Sequence, residues 1–214
     1  MERFFANLAE ILLLINCILY FRSYSNYGKA FKIITCYIAL HTFVEFSMSI
    51  LGFFKILNLY FSHLYFIGQF IILSFFYTTL LKDKLLKKII KVYLITCLII
   101  LIIQYSLKPS LFFTFNLFEI FITCFPLIIY SVFYFYQMLN EKKEFYYINS
   151  GMIIYLFGST IIFLSGNIIN LYSTKFAKGC WIFNSLLYVF YLILMLIEWK
   201  KNYSKLTPRN EFKL

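Results

Sequence analysis

The chain reads as an all-α polytopic membrane protein, a seven-transmembrane-helix bundle that forms a single integral membrane domain over residues 1–214. Three observations carry that reading. Hydrophobic residues make up 62% of the chain and charged ones only 14%, with a mean hydropathy of +0.81, a balance foreign to water-soluble domains. Seven apolar stretches are each close to or above the ~20 residues a helix needs to cross a bilayer with its backbone groups paired internally. The connections between them are short and leave no segment for a separate soluble domain.

The stretches lie near 4–21, 31–53, 59–81, 89–106, 111–137, 146–171 and 180–199. The first has some look of a secretory signal, since Arg3 precedes an apolar run. Glu10 interrupts that run, however, and Arg22-Ser23-Tyr24 follows it in place of a small-residue cleavage site, so a retained helix is expected. Orientation follows from the enrichment of Lys and Arg in cytoplasmic loops. A cytoplasmic carboxyl terminus puts Arg22, Lys29, Lys32, the five lysines of 82–91, Lys142, Lys143, Lys200, Lys201, Lys205, Arg209 and Lys213 inside, fifteen of the twenty basic residues. Seven crossings then place the amino terminus outside, as expected of a multi-pass protein of a cell's inner (plasma) membrane.

The net charge of +11 belongs to these loops and suits anionic lipid headgroups, so membrane lipid is an expected partner and nucleic acid is not. The densest basic patch, KDKLLKK at 82–88, reads as a solvated loop against those headgroups. Of the five cysteines, Cys17, Cys36, Cys97 and Cys124 fall inside stretches and Cys180 stands alone, with no CxxC or Cys/His spacing; they read as packing residues. Tyr24, Tyr27, Tyr60, Tyr65, Tyr105, Tyr146, Tyr147 and Tyr172 cluster near stretch ends, as an interfacial aromatic belt would, and Trp199 beside Lys200 and Lys201 marks the inner end of the last helix.

Polar side chains within spans avoid lipid and mark what each helix turns inward. In the second stretch Thr35, Thr42 and Ser49 recur every seven residues, Glu45 joins that stripe, and His41 precedes Glu45 by four, a spacing that lets the two meet. The fifth carries Asn116, Glu119, Thr123 and Ser131 around Pro126, which removes a backbone donor and favours a kink. In the sixth, Gly151, Gly158 and Ser165 lie seven apart, beside Ser150, Ser159 and Gly166, a small-residue face suited to close helix packing. Asn184, Tyr188 and Tyr191 share a face of the last helix, where no lysine is available for a retinal Schiff base.

Glu45 and Glu119 each lie eight residues from the outer ends of their stretches, about 12 Å deep at 1.5 Å per residue. Glu10, His63, Asn167 and Asn184 fall nearer the outer surface, so the polar residues form an outward-biased layer. A carboxylate at a helix centre costs about 2.5–3.5 kcal/mol on insertion scales, and three arrangements would offset two of them. One is a structural clasp in which Glu45 and Glu119 bond to His41, Gln69, Asn116 or Thr123. The second is a ligand pocket open to the outside, built from His41, Glu45, Glu119, Gln69, Asn116 and Asn184. The third is a metal or catalytic site, for which His41, Glu45, His63 and Glu119 are the nearest to a ligand set; the two histidines fall on different helices at different depths, and no HxxxH or HExxH occurs. No catalytic residue, metal ligand or cofactor is assigned. Gly-x-Ser-x-Gly and phosphate-cradling glycine loops are lacking. Helices one to three share no motif with five to seven, so the duplicated halves of a small carrier are not visible.

In its seven short-looped helices, the His41-x-x-x-Glu45 pair and the ending from Tyr191 through Glu198-Trp199-Lys200-Lys201, the chain resembles small seven-helix bacterial membrane proteins of sensor type. That resemblance implies a receptor-like or accessory role, with a small or amphipathic ligand outside and a separate signalling partner in the cytoplasm, because no kinase is fused here. In length, and in its intramembrane Glu45 and Glu119, the chain is also similar to lysoplasmalogenase-like lipid hydrolases. The aspartates expected there are missing, since Asp83 is the only aspartate and lies in a loop. A small transporter is the third reading.

Overall fold

The computed structural model describes residues 2–140, 143–165 and 174–204. Lys142, Gly166, Asn167, Tyr172, Lys205, Arg209 and Lys213, considered above, lie outside the described residues. Seven α-helices appear: α1 (Glu2–Ser23), α2 (Lys29–Phe53), α3 (Tyr60–Leu80), α4 (Lys84–Leu107), α5 (Leu117–Gln137), α6 (Tyr146–Leu164) and α7 (Thr174–Asn202). Short 3-10 segments lie at Tyr24–Asn26 and Pro109–Phe113, and there is no strand among the described residues. Six of the helices, all but α4, are long and apolar enough to cross a membrane. α4 opens with Lys84, Lys87, Lys88 and Lys91 before its apolar part begins. Apolar side chains such as Ile18, Phe43, Ile95, Ile102 and Phe157 are more than half exposed on the outer faces, as lipid-facing positions would be.

The helix ends follow local chemistry. The Asp83 carboxylate accepts the Leu85 and Leu86 amides at 2.6 and 3.2 Å and so starts α4, while the Asn116 side chain accepts the Glu119 amide and starts α5. The fifth helix therefore begins six residues later than the stretch 111–137 suggested. Residues 109–113 form a 3-10 segment instead, initiated by Pro109, whose ring fixes φ and removes a donor.

Six helices close into a ring in which α1 touches α2, α2 touches α3, α3 touches α5, α5 touches α6, α6 touches α7, and α7 returns to α1. α4 stands outside this ring against α3 and α5. Closure between the first and last helices uses buried polar groups: the Asn16 amide donates to the backbone carbonyls of Leu12 and Leu192 at 2.9 and 3.1 Å, and the Tyr20 hydroxyl donates to the Met195 carbonyl at 3.0 Å. Trp199 is tied into the same seam, its indole N–H donating to the Ser23 hydroxyl at 3.1 Å.

The small face of α6 meets α7 as the glycine spacing suggested. A Cβ at Gly151 would lie 2.7 Å from the Tyr191 ring, and one at Gly158 would collide with the Leu187 side chain; only glycine permits this approach. One turn before Gly151, the buried Glu198 carboxylate of α7 accepts the Tyr147 amide at 2.8 Å, and a carboxylate is favoured at that end of α6 by the helix dipole. Phe145, left-handed at φ 54°, precedes this start and packs against Phe76 and Tyr203.

Two polar devices knit further seams, and a third set of hydroxyls stays within its own helix. Asn149 of α6 donates to the Ser131 carbonyl at 3.0 Å and accepts from the Ser131 and Tyr77 hydroxyls at 2.8 and 2.9 Å, joining α3, α5 and α6. Thr35 and Thr42 turn back on their own helix, donating to Phe31 and Ile38 carbonyls at 2.8 Å each, and Ser49 is exposed; the α2 stripe is thus largely satisfied locally. Pro126 cannot donate to the Ile122 carbonyl one turn back, and α4 supplies the missing donor: the Tyr93 hydroxyl lies 3.1 Å from that oxygen, with Cys97 Sγ at 3.8 Å.

Tyr93→Phe is expected to cost about 1–3 kcal/mol by leaving the Ile122 carbonyl unpaired. In a Pro126→Ala background, where the helix regains its own donor, the same change should cost clearly less; a double-mutant cycle on melting in detergent measures the difference.

Candidate functional site

Two polar constellations lie in the half of the bundle that holds the start of α1, the end of α2 and the start of α3. They stand back to back. Ser62 and Phe115 face a cavity, while their chain neighbours His63 and Asn116 face a clasp.

The clasp joins the first turn of α3, the last turn of α4 and the first turn of α5. His63 Nδ1 lies 3.1 Å from both Glu119 carboxylate oxygens, an ion pair whenever the imidazole is protonated. The Tyr105 hydroxyl donates to Glu119 Oε2 and lies 2.9 Å from His63 Nδ1. The Asn116 amide donates to the Tyr105 and Gln104 oxygens at 3.2 and 3.0 Å. Glu119 is 1% exposed, and its backbone carbonyl takes the Thr123 hydroxyl at 2.7 Å. Phe112 of the 3-10 segment stacks on Tyr105, ring centroids 4.3 Å apart, and meets the His63 ring edge-on. The carboxylate occupies the third position of α5, where both the helix dipole and the Asn116 cap favour it.

The cavity has a volume of about 330 Å³, the lower range for a small-molecule site. It lies inside the six-helix ring and draws on α1 through Glu10, α2 through Glu45, α3 through Tyr65 and Phe66, α6 through Tyr155 and Phe163, and α7 through Trp181, Asn184 and Tyr188. The Tyr65 and Tyr155 hydroxyls bond to each other at 2.7 Å across it. The Tyr188 hydroxyl and Asn184 Oδ1 are buried with no hydrogen-bond partner. Glu10 and Glu45 both line it and have no hydrogen bond or cation among the described residues.

The residues singled out in the sequence are thus divided. Glu45 and Asn184 line the cavity; Glu119 and Asn116 belong to the clasp. His41 does not bond to Glu45 despite the four-residue spacing. Its ring is held between Tyr37 and Tyr65, centroids 4.2 and 4.6 Å away, and its Nε2 has no partner. Gln69 lies in the same core, accepting from the Tyr37 hydroxyl at 3.3 Å and donating toward Cys124 Sγ at 3.9 Å. The count of eight residues that gave Glu119 the depth of Glu45 does not hold, because α5 starts at Leu117 and puts Glu119 in its first turn. Their separate surroundings give a joint two-carboxylate reaction no geometric support, and among the described residues no group of metal-ligating side chains converges.

Some site residues were not found from the sequence. Glu10 was read as an interruption of the first stretch, yet Ala6, Ala9, Glu10 and Leu13 all line the cavity, and their i, i+3, i+4, i+7 spacing is the signature of one helix face. Tyr65 and Tyr105 are not belt residues: both are buried, at 9% and 7% exposure, because their hydroxyls have partners inside the bundle. The Asn116-x-x-Glu119 spacing is a helix-start signal that would have placed the clasp at an end.

Removing the clasp should cost stability. Glu119→Gln and Tyr105→Phe are each expected to lower unfolding free energy by about 1–3 kcal/mol, with the double mutant costing less than the sum, as read from melting of the purified protein.

No family model, curated protein or solved structure matches this chain, so its functional reading rests on the cavity and the clasp themselves.

Proposed function

We propose that this protein is a seven-helix inner-membrane receptor or accessory protein. Its cavity around Glu45, opening toward the outside, binds a small or amphipathic ligand. The observation that carries this reading is the cavity itself: about 330 Å³ inside the ring, walled by seven aromatic side chains and holding two carboxylates without a partner among the described residues and two unpartnered polar atoms. Buried polar groups left without partners cost free energy unless something supplies them, and ionisable groups at membrane depth mark functional sites.

In this reading α4 is the seventh crossing, its lysine-rich start in the cytoplasm, with the amino terminus outside and the carboxyl terminus inside. α7 links the two sides. It presents Asn184 and Tyr188 to the cavity and, several turns on, Glu198 to the start of α6 and Trp199 to α1. A ligand that shifts α7 therefore acts on the end of the bundle near residues 82–91, where a separate signalling partner would read the change. Glu119, held in the clasp, fixes the wall behind the cavity and does not itself meet the ligand.

Two measurements test this. Membrane-impermeant maleimide applied to intact cells should label Lys55→Cys and Lys108→Cys in a background lacking the native cysteines, and leave Lys87→Cys unlabelled until the cells are opened; labelling of Lys87→Cys from outside overturns the topology. Mass spectrometry of purified protein should show a co-purifying small molecule or lipid that Glu45→Gln loses with little change in melting temperature. Glu119→Gln should melt earlier yet keep that molecule; equal retention by both variants removes Glu45 from any binding role.

A further inference from the structure

Resting on the reading of the cavity as a ligand site, we infer that its ligand class is a small organic ammonium ion carrying an apolar or aromatic body. The lining carries two carboxyl groups: Glu10 and Glu45 enter from adjacent helices, and no Lys, Arg or His is among its described residues. Neither carboxylate has a hydrogen-bond or cationic partner among the described residues, in contrast to Glu119, which is bound by His63 and Tyr105, and Glu198, which caps α6. Two further atoms point the same way. Tyr188 is 92% buried, by its 8% exposure, and its oxygen has no partner; Asn184 Oδ1 is a buried acceptor with none. Carboxylate and carbonyl oxygens accept and never donate when ionised or amide-bound, so the group that satisfies three of these four must bring hydrogen-bond donors, of which an ammonium supplies up to three on one atom and an alcohol one.

The rest of the wall fits the body of such an ion. Trp181, Tyr65, Phe66 and Phe163 line the same space, and aromatic rings near a desolvated ammonium attract it through their quadrupoles, indole most strongly. An anion would be repelled by both carboxylates, and a neutral apolar molecule would leave all four polar groups unsatisfied. The volume admits a phenethyl-sized body, and the apolar surroundings of Leu13 and Met48 suit its hydrocarbon part.

The probes are three isosteres, phenethylammonium, 2-phenylethanol and phenylacetate, titrated into the full chain in detergent at neutral pH by calorimetry and thermal shift. Phenethylammonium should bind and raise the melting temperature, at least about tenfold more tightly than the alcohol, as expected for a charge-assisted contact in a desolvated site. Glu45→Gln and Glu10→Gln should each weaken it about tenfold, Trp181→Leu about fivefold, and Glu119→Gln, although less stable, should bind it as the parent does. Equal affinity for the alcohol, or preference for phenylacetate, overturns the ammonium assignment and leaves the cavity standing as a ligand site. Binding of none of the three by a protein that still retains a co-purified molecule also overturns the assignment alone; binding of none by a protein that co-purifies nothing overturns the ligand reading with it.

Discussion

The polar groups of this bundle have no water to fall back on where apolar helices meet lipid, and the pairing of each inside the protein sets which helices touch. Asn16 has its amide taken up by two carbonyls, one on its own helix and one on α7; Asn149 gathers α3, α5 and α6. Hydrophobic burial alone gives little preference for one neighbour over another in such surroundings, since lipid tails are as apolar as leucine. The order of the ring is therefore written in a handful of amides, hydroxyls and carboxylates, and in the glycines that let α6 and α7 approach.

The same requirement explains the contrast among the four described acidic residues inside the helices. Glu119 and Glu198 are placed at helix starts, where the dipole favours a carboxylate; His63 and Tyr105 hold the first, and the Tyr147 amide and Asn202 the second. Glu10 and Glu45 lie away from helix ends, on a cavity wall, and none of the described residues bonds to them. Two of these carboxylates are thus paired at helix starts, and the other two share the wall of one cavity. The clasp serves that site indirectly, by holding the starts of α3 and α5 that form part of its wall.

Much of the architecture was legible in the sequence because it depends on one-dimensional quantities: apolar length sets the helices, small-residue spacing sets the α6–α7 contact, and Asn184, Tyr188 and Tyr191 do share an inward face. The site was legible only in part. A four-residue spacing brought His41 and Glu45 to neighbouring positions on α2, but the Tyr37 and Tyr65 rings captured the imidazole, a tertiary competition no local rule includes. Depth counted from stretch ends failed at Glu119 because hydropathy does not distinguish the apolar 3-10 segment at Pro109–Phe113 from the helix that follows it. Tyrosines near span ends look alike in sequence whether they face outward, as Tyr60 does at 42% exposure, or a buried partner, as Tyr65 does.

The closure of α1 on α7 has a consequence for how the molecule comes into being. Contacts such as Asn16 to Leu192 and Tyr20 to Met195 span 176 and 175 residues of sequence, so the first helix to enter the membrane waits for the last before its buried amide finds its distant partner. Until then the ring is an open arc, and the space beside Glu10 and Glu45 lacks the wall that Trp181, Asn184 and Tyr188 supply. The cavity is thus absent from any shorter chain and forms only once α7 has closed on α1.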